Sequence, residues 1–248
     1  LNRGEAVRIF TGAPVPTGAN SILIQEDAQV DGKTLTLGPD ATWTAGQYIR
    51  PEGCDFPIGF QMDTPRRLRP ADVALLAAMN APEITVARKP IVAVIATGTE
   101  LVQPGETPGP DQIFTSNTFA LAAMIEAAGG QARVLPIARD DLASLEQAFT
   151  LAEGADLIVT IGGASVGDHD LVAKAAAAQG MERSFYKILM RPGKPLMAGR
   201  LGSAMMIGLP GNPVSAIVCG HVFLLPVLAA IAGLPPRPAP REPATLAV

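Results

Sequence analysis

The stretch ADLIVTIGGASVGDHDLVAKAAAAQG, Ala155 to Gly180, decides the fold. Leu157–Ile161 is a short continuous apolar run, the pattern of a strand buried on both faces. It enters the glycine-rich turn GGASVGDHD and then an alanine-rich helix. Two chemistries share those letters. Gly163-Ala-Ser165-Val-Gly167 fits the G-x-S-x-G elbow of serine hydrolases, and the same loop suits an anion cradle at a helix N-terminus.

The same strand–turn–helix unit recurs on either side. PIVAVIATGTE is a buried strand running into a turn, and TSNTFALAAMIEAAGG a helix with polar starters and a glycine stop. QARVLPIA reads as a strand and RDDLASLEQAFTLAEG as a helix. SAMMIGLPGNPVSAI is strand, turn and helix, with Asn212 as cap and Pro213 at the first helical position. Repeated β–α units with apolar strands predict an α/β fold whose parallel sheet is covered on both faces. Before Arg88-Lys-Pro90 the pattern differs. AVRIF, SILIQE and KTLTL read as short strands, Asp31-Gly32 marks a hairpin, and Pro70 to Asn80 is a helix ended by Pro82.

Composition narrows the function. The 248 residues are 48% hydrophobic but 4% aromatic, so the core is built from aliphatic side chains. A net charge of −4 and the lack of a basic stripe argue against nucleic acid as partner. Cys54 and Cys219 lie far apart without CxxC spacing, which suits a reducing cytoplasm rather than a disulfide framework. Val214–Leu234 is long and apolar, yet it holds His221 and Pro226 and lacks charged anchors. It reads as a buried helix kinked near Pro226 rather than a membrane span.

Polar residues gather where the strands end, in TGTE (Thr97–Glu100), RDD (Arg139–Asp141), GGASVGDHD and LPGNP (Leu209–Pro213). In an open parallel sheet those ends lie along one edge, where ligands bind. Glu100, Asp140, Asp141, Asp168 and Asp170 would crowd that edge, and carboxylates beside phosphates call for a Mg²⁺-type cation. YKILMRPGKP supplies the complementary Lys187, Arg191 and Lys194. Each acid also has a plain reading as a helix cap, and Asn117 reads equally as cap or ligand contact. The elbow reading requires a histidine base for Ser165. His221, within the apolar helix, is the one downstream, with Glu182 the one acid between Asp170 and it. Ser165 therefore reads as an anion contact.

In order and spacing, ATGTEL, SNTFALAAMIEAAGG, ARDD, GGASVGDHD, RPGKP and LPGNPVSA resemble the molybdopterin molybdenumtransferase family, which includes bacterial MoeA and the C-terminal domain of gephyrin. VRIFTGAPVPTGANSILIQED resembles the β domain that precedes this module. The resemblance implies a MogA-like molybdopterin-binding α/β domain over residues 89–236, with a parallel-rich sheet between helix layers. It further implies a smaller, mostly β domain over 1–66, a linker helix and boundary over 67–88, and a proline-rich tail over 237–248 leading to a C-terminal β domain. The family's MDGYA-type motif would precede Leu1.

The implied activity is insertion of molybdate into adenylylated molybdopterin with release of AMP, in the cytoplasm, by a homodimer using Mg²⁺. A MogA-type adenylyltransferase or a non-catalytic molybdopterin-binding module are the alternatives. By motif, the resemblance assigns catalysis to Glu100, Asp140 and Asp170, and metal to Asp140 and Asp170. It assigns ligand contacts to Thr11, Asn117, Gly162, Gly163, Ser165, Gly167, Lys187, Arg191, Lys194, Pro210 and Pro213. Thr11 and Asp55 match positions near the partner subunit's site, and Thr99 stands where an aspartate is frequent.

Overall fold

The computed structural model describes residues 1–163, 170–236 and 242–245. The chain divides into two compact units, Leu1–Asp63 and Thr64–Val248.

In the first unit a single 3₁₀ turn, Gln25–Asp27, leads into the hairpin of β1 (Ala28–Asp31) and β2 (Thr34–Leu37). Asp31 pairs with Thr34, leaving Gly32 and Lys33 to make the turn, and Gly32 takes φ +57°. The hairpin signal thus falls where the sequence put it. AVRIF and SILIQE do not form strands. Neither run has a ladder partner among the described residues, and Val7 and Phe10 are 51% and 76% exposed. An apolar run becomes a strand only where a neighbour takes its N–H and C=O groups. No described residue of this unit is fully buried.

The second unit opens with α1 (Pro70–Ala78), which starts on Pro70 and stops at Asn80, a residue at φ +62°. Its six-stranded sheet is built from β3 (Ile91–Ala96), β6 (Gln131–Val134), β7 (Leu157–Ile161), β8 (Glu182–Tyr186), β9 (Met197–Leu201) and β10 (Ala204–Leu209). Their order is β6-β3-β7-β10-β9-β8. The first four run parallel, whereas β9 and β8 extend the sheet antiparallel. The sheet is therefore mixed, not wholly parallel. The segment that carries Lys187, Arg191 and Lys194 is the connection between β8 and β9. β8 is an exposed edge strand carrying Glu182, Arg183 and Ser184, with a bulge between Arg183 and Phe185, so no apolar run marks it. A second, two-stranded ribbon pairs β4 (Leu101–Val102) with β5 (Ile113–Phe114).

Alternation along the strands divides the core in two. Ala93, Ile95, Ile158 and Met206 pack on α3 (Leu142–Leu151) and α4 (Leu171–Ala178), whereas Val92, Val94, Val159 and Ile207 belong to the opposite cluster. That opposite face is covered by α2 (Asn117–Ala127) and by a helix over 213–231, comprising α5 (Pro213–Cys219), a π-helical turn Gly220–Leu224, and α6 (Leu225–Ile231). Pro226 has no N–H to donate to the ladder, and the π turn just before it keeps the helix continuous. This helix is long and apolar enough to cross a membrane. It lays Ala216, Cys219, Leu224 and Leu228 into the core, while Val214, Ile217 and Val222 face outward. His221, expected to be buried, is exposed.

Candidate functional site

The parallel strands all point one way, and their outgoing turns are laced together. Thr97 N–H donates to Ile161 O at 2.9 Å, Gly98 N–H to Ala138 O at 3.1 Å, and Gly162 N–H to Leu209 O at 3.1 Å. A cleft of about 810 Å³ opens on this edge. Its floor is Thr97, Gly98, Gly162, Gly163 and Gly211. The glycines are required by space. A Cβ on Gly162, at φ +92°, would sit 2.7 Å from Thr97 O, and one on Gly163, at φ +66°, 2.3 Å from Val172 Cγ2.

Among the described residues, two carboxylates line the cleft, Glu100 and Asp140. The Glu100 carboxylate folds back over Gly98, where a Cβ would lie 2.5 Å from Oε2. Asp140 Oδ2 accepts from both Thr99 N–H at 3.0 Å and Thr99 Oγ1 at 3.2 Å. The neighbouring Arg139 guanidinium donates to Thr99 O at 3.1 Å and Leu101 O at 3.2 Å, so the TGTE and RDD turns form one rigid rim. Thr99, which stands where the family resemblance puts an aspartate, is the residue that holds Asp140. Asp141 is a helix cap, accepting from Ser144 N–H at 2.8 Å.

Lys187 and Lys194 also line the cleft. Their loop closes on itself through Lys187 N–H to Leu196 O at 2.8 Å and Ile188 N–H to Lys194 O at 3.0 Å. Lys187 is held at φ +67°, a left-handed backbone rare for lysine. Ser116 and Asn117 bring the first turn of α2 to the cleft, and Pro213 the start of α5. Asn117 Nδ2 donates to Gly211 O at 2.7 Å, so the residue ties loops rather than capping its helix. Leu101, at the end of ATGTEL, forms an apolar wall with Ile113 and Phe114, which lie in no motif.

Other expected residues lie elsewhere. Asp170 does not line the cleft. It is 5% exposed, and its Oδ1 accepts from Ala173 N–H at 2.9 Å, its Oδ2 from the Tyr186 hydroxyl at 2.9 Å. Among the described residues, Asp140 lines the cleft and Asp170 does not, so the expected metal pair is not brought together in its lining. Burial first, and then the bond to the Asp170 carboxylate, raises the Tyr186 phenol above its ordinary value. Arg191 is exposed and Pro210 buried, and neither lines the cleft. Thr11 is exposed in the first unit, where Asp55 pairs with Arg50. Ser165, Gly167, Asp168 and His169 lie outside the described residues. His221 takes no part in the cleft lining.

Among the described residues the cleft combines an apolar wall, glycine backbone, helix starts, two lysines and two carboxylates, the lining of a small-molecule site at the strand ends of an α/β protein. Comparison with known proteins makes that class specific. Residues 93–230 match the model of the probable molybdopterin binding domain, and residues 1–80 that of the MoeA N-terminal region, domains I and II. The chain belongs to the molybdopterin-binding family of the MoeA proteins. It is 34% identical over 239 residues to the molybdopterin molybdenumtransferase of Nostoc sp., covering 94% of this chain and 54% of that one. It is 38% identical over 250 residues to molybdopterin molybdenumtransferase 2 of Mycobacterium tuberculosis, covering 97% and 61%. The crystal structure of the molybdopterin biosynthesis MoeA protein of Pyrococcus horikoshii superposes with a TM-score of 0.71 at 33% identity, covering 94% of this chain and 58% of that one. The chain thus spans a little over half the length of these relatives.

Proposed function

We propose that this chain carries the molybdopterin site of a molybdenumtransferase, which inserts molybdate into adenylylated molybdopterin and releases AMP. The observation that carries this reading is the joining of Lys187, Lys194, Glu100 and Asp140 in one cleft whose floor is glycine backbone. The pterin ring lies along Leu101, Ile113 and Phe114, and the phosphates face the lysines and the first turn of α2. The reaction breaks the phosphoanhydride that joins the molybdopterin phosphate to AMP. Such a step needs positioning and charge neutralisation more than a protein nucleophile. Lys187 and Lys194 offset the negative charge that grows on the separating phosphates, and the glycine floor lets backbone approach them. The laced turns keep this arrangement fixed before ligand arrives.

Magnesium takes one or two carboxylates and fills its shell with water and substrate phosphates. Asp140 and Glu100, both in the lining, fit that demand, whereas Asp170, held by Ala173 N–H and the Tyr186 hydroxyl, does not line the cleft. When bound there, the cation supplies further charge neutralisation. The working form is a cytoplasmic homodimer, in which Thr11 and Asp55 serve the partner subunit's cleft, as the family resemblance implies.

The test is binding of adenylylated molybdopterin to the chain by titration calorimetry, followed by AMP release on addition of molybdate. Saturable binding that Lys194→Ala and Asp140→Asn each weaken, by about tenfold to a hundredfold for one lost charged contact of about 1.5–3 kcal/mol, supports the assignment. Binding indifferent to both variants overturns it.

A further inference from the structure

Tyr186, the last residue of β8, joins two features of the site that the sequence treats as separate. Its hydroxyl donates to Asp170 Oδ2 at 2.9 Å, and Asp170 is itself fixed to the first turn of α4 by Ala173 N–H. The ring is therefore held by its far end to α4, on the same face of the sheet against which it packs. On that ring rests the Lys187 ammonium, with Nζ 4.8 Å from the centroid; the Arg183 guanidinium lies 5.1 Å from the same centroid. Both distances fall within cation–π range. Lys187 is the next residue, and its left-handed backbone is pinned by the bond to Leu196 O. Strained conformations of this kind persist where the surroundings over-determine them, and they cluster at ligand sites.

We infer that Tyr186 is a positioning residue for the cleft: the clamped ring seats the Lys187 ammonium against an apolar, π-rich face before any anion is bound. Asp170 then acts by orienting Tyr186 through its hydroxyl. A lysine side chain loses much rotamer freedom when it grips a phosphate. A seat that has already removed part of that freedom strengthens anion binding without touching the anion. The inference rests on the phosphate-binding reading of the cleft.

Two readouts separate the seat from that reading. The first is the NMR signal of Lys187 after reductive ¹³C-methylation, assigned by its loss in Lys187→Arg. Over an aromatic face it is shifted upfield; Tyr186→Phe keeps part of that shift and Tyr186→Leu abolishes it. The second is affinity for inorganic pyrophosphate. Tyr186→Leu weakens it by roughly threefold to tenfold, the range of a partly desolvated cation–π contact. The same change made on Lys187→Ala has no further effect, whereas Tyr186→Phe recovers most of the affinity. An unshifted Lys187 signal in the wild-type chain overturns the seat, as do losses from Tyr186→Leu and Lys187→Ala that simply add. A shifted signal without pyrophosphate binding leaves the seat standing and overturns the phosphate reading. Should Tyr186→Leu fail to fold, the wild-type signal and Tyr186→Phe still decide the matter.

Discussion

The side-chain amide of Asn117 donates to the carbonyl of Gly211 at 2.7 Å, across 94 residues of chain. This bond ties the first turn of α2 to the turn after β10, and both residues line the cleft. Asn117→Ala removes this bond and is expected to cost about 1 kcal/mol. For a unit of this size that lowers Tm by about 2–4 °C. Asn117→Asp should cost more, because it sets a carboxylate against a carbonyl oxygen. Thermal melts of the three chains check the order, and equal melting temperatures would show that the bond carries no weight.

Gly163 offers a sharper steric test. Its φ of +66° costs a substituted alanine about 1–2 kcal/mol. The new Cβ, 2.3 Å from Val172 Cγ2, adds about 1–3 kcal/mol for the displaced core side chain. Gly180 has φ +84° but nothing within 4 Å of its virtual Cβ, so Gly180→Ala should show the backbone cost alone. Urea unfolding of the two variants measures the difference. If both lose the same stability, Val172 yields freely and the glycine floor is not fixed by packing.

The legible part of the molecule is the part with continuous apolar strands. IVAVIA, LIVTI and AMMIGL each become a strand of the parallel core, and the turns after them supply Glu100, Gly162, Gly163, Asn212 and Pro213 where the pattern puts them. What stayed hidden has physical causes. ERSFY is an exposed edge with no apolar alternation, and MAGRL holds Gly199, whose virtual Cβ would lie 2.5 Å from Glu182 O. Such an approach shows as a glycine, not as a strand signal. An aspartate at a helix start reads the same whether it caps or binds. The fold divides them, with Asp140 on the cleft and Asp141 and Asp170 turned into their helices. Thr99 and Tyr186 escaped because their role is to hold another residue, and no spacing rule reports that.

Thr99 yields a prediction about the cation. Thr99→Val keeps the N–H bond to Asp140 but removes the hydroxyl donor. Loss of a group that orients a ligating carboxylate costs about tenfold or more in metal affinity. The Mg²⁺ concentration that half-maximally strengthens binding of adenylylated molybdopterin should rise about tenfold on the same ground. Chelation with EDTA should weaken binding by the wild-type chain and leave Asp140→Asn unchanged. An EDTA effect of equal size in both chains would place the cation away from Asp140.

Asp72 gives the pH dependence its sign. Its carboxylate, with a 6% exposed side chain, accepts from Arg69 N–H at 2.8 Å, Arg69 Nε at 3.1 Å and Arg66 Nη2 at 2.9 Å. The Arg69 side-chain bond, then the Arg69 N–H, hold it at about 2 rather than 3.8. Because the folded chain binds this proton less readily than the unfolded one, acid favours unfolding. The contribution of Asp72 is present in full above about pH 4 and is lost as the pH falls through about 2. Asp72→Asn should therefore melt lower than the wild-type chain at pH 7, and the two curves should converge between pH 4 and pH 2. Asp156, lowered mainly by the Arg88 guanidinium, is common to both chains and cancels in the difference. Melting curves that stay parallel from pH 7 to pH 2 would show that the arginine cluster at the start of α1 does not hold the Asp72 charge in solution.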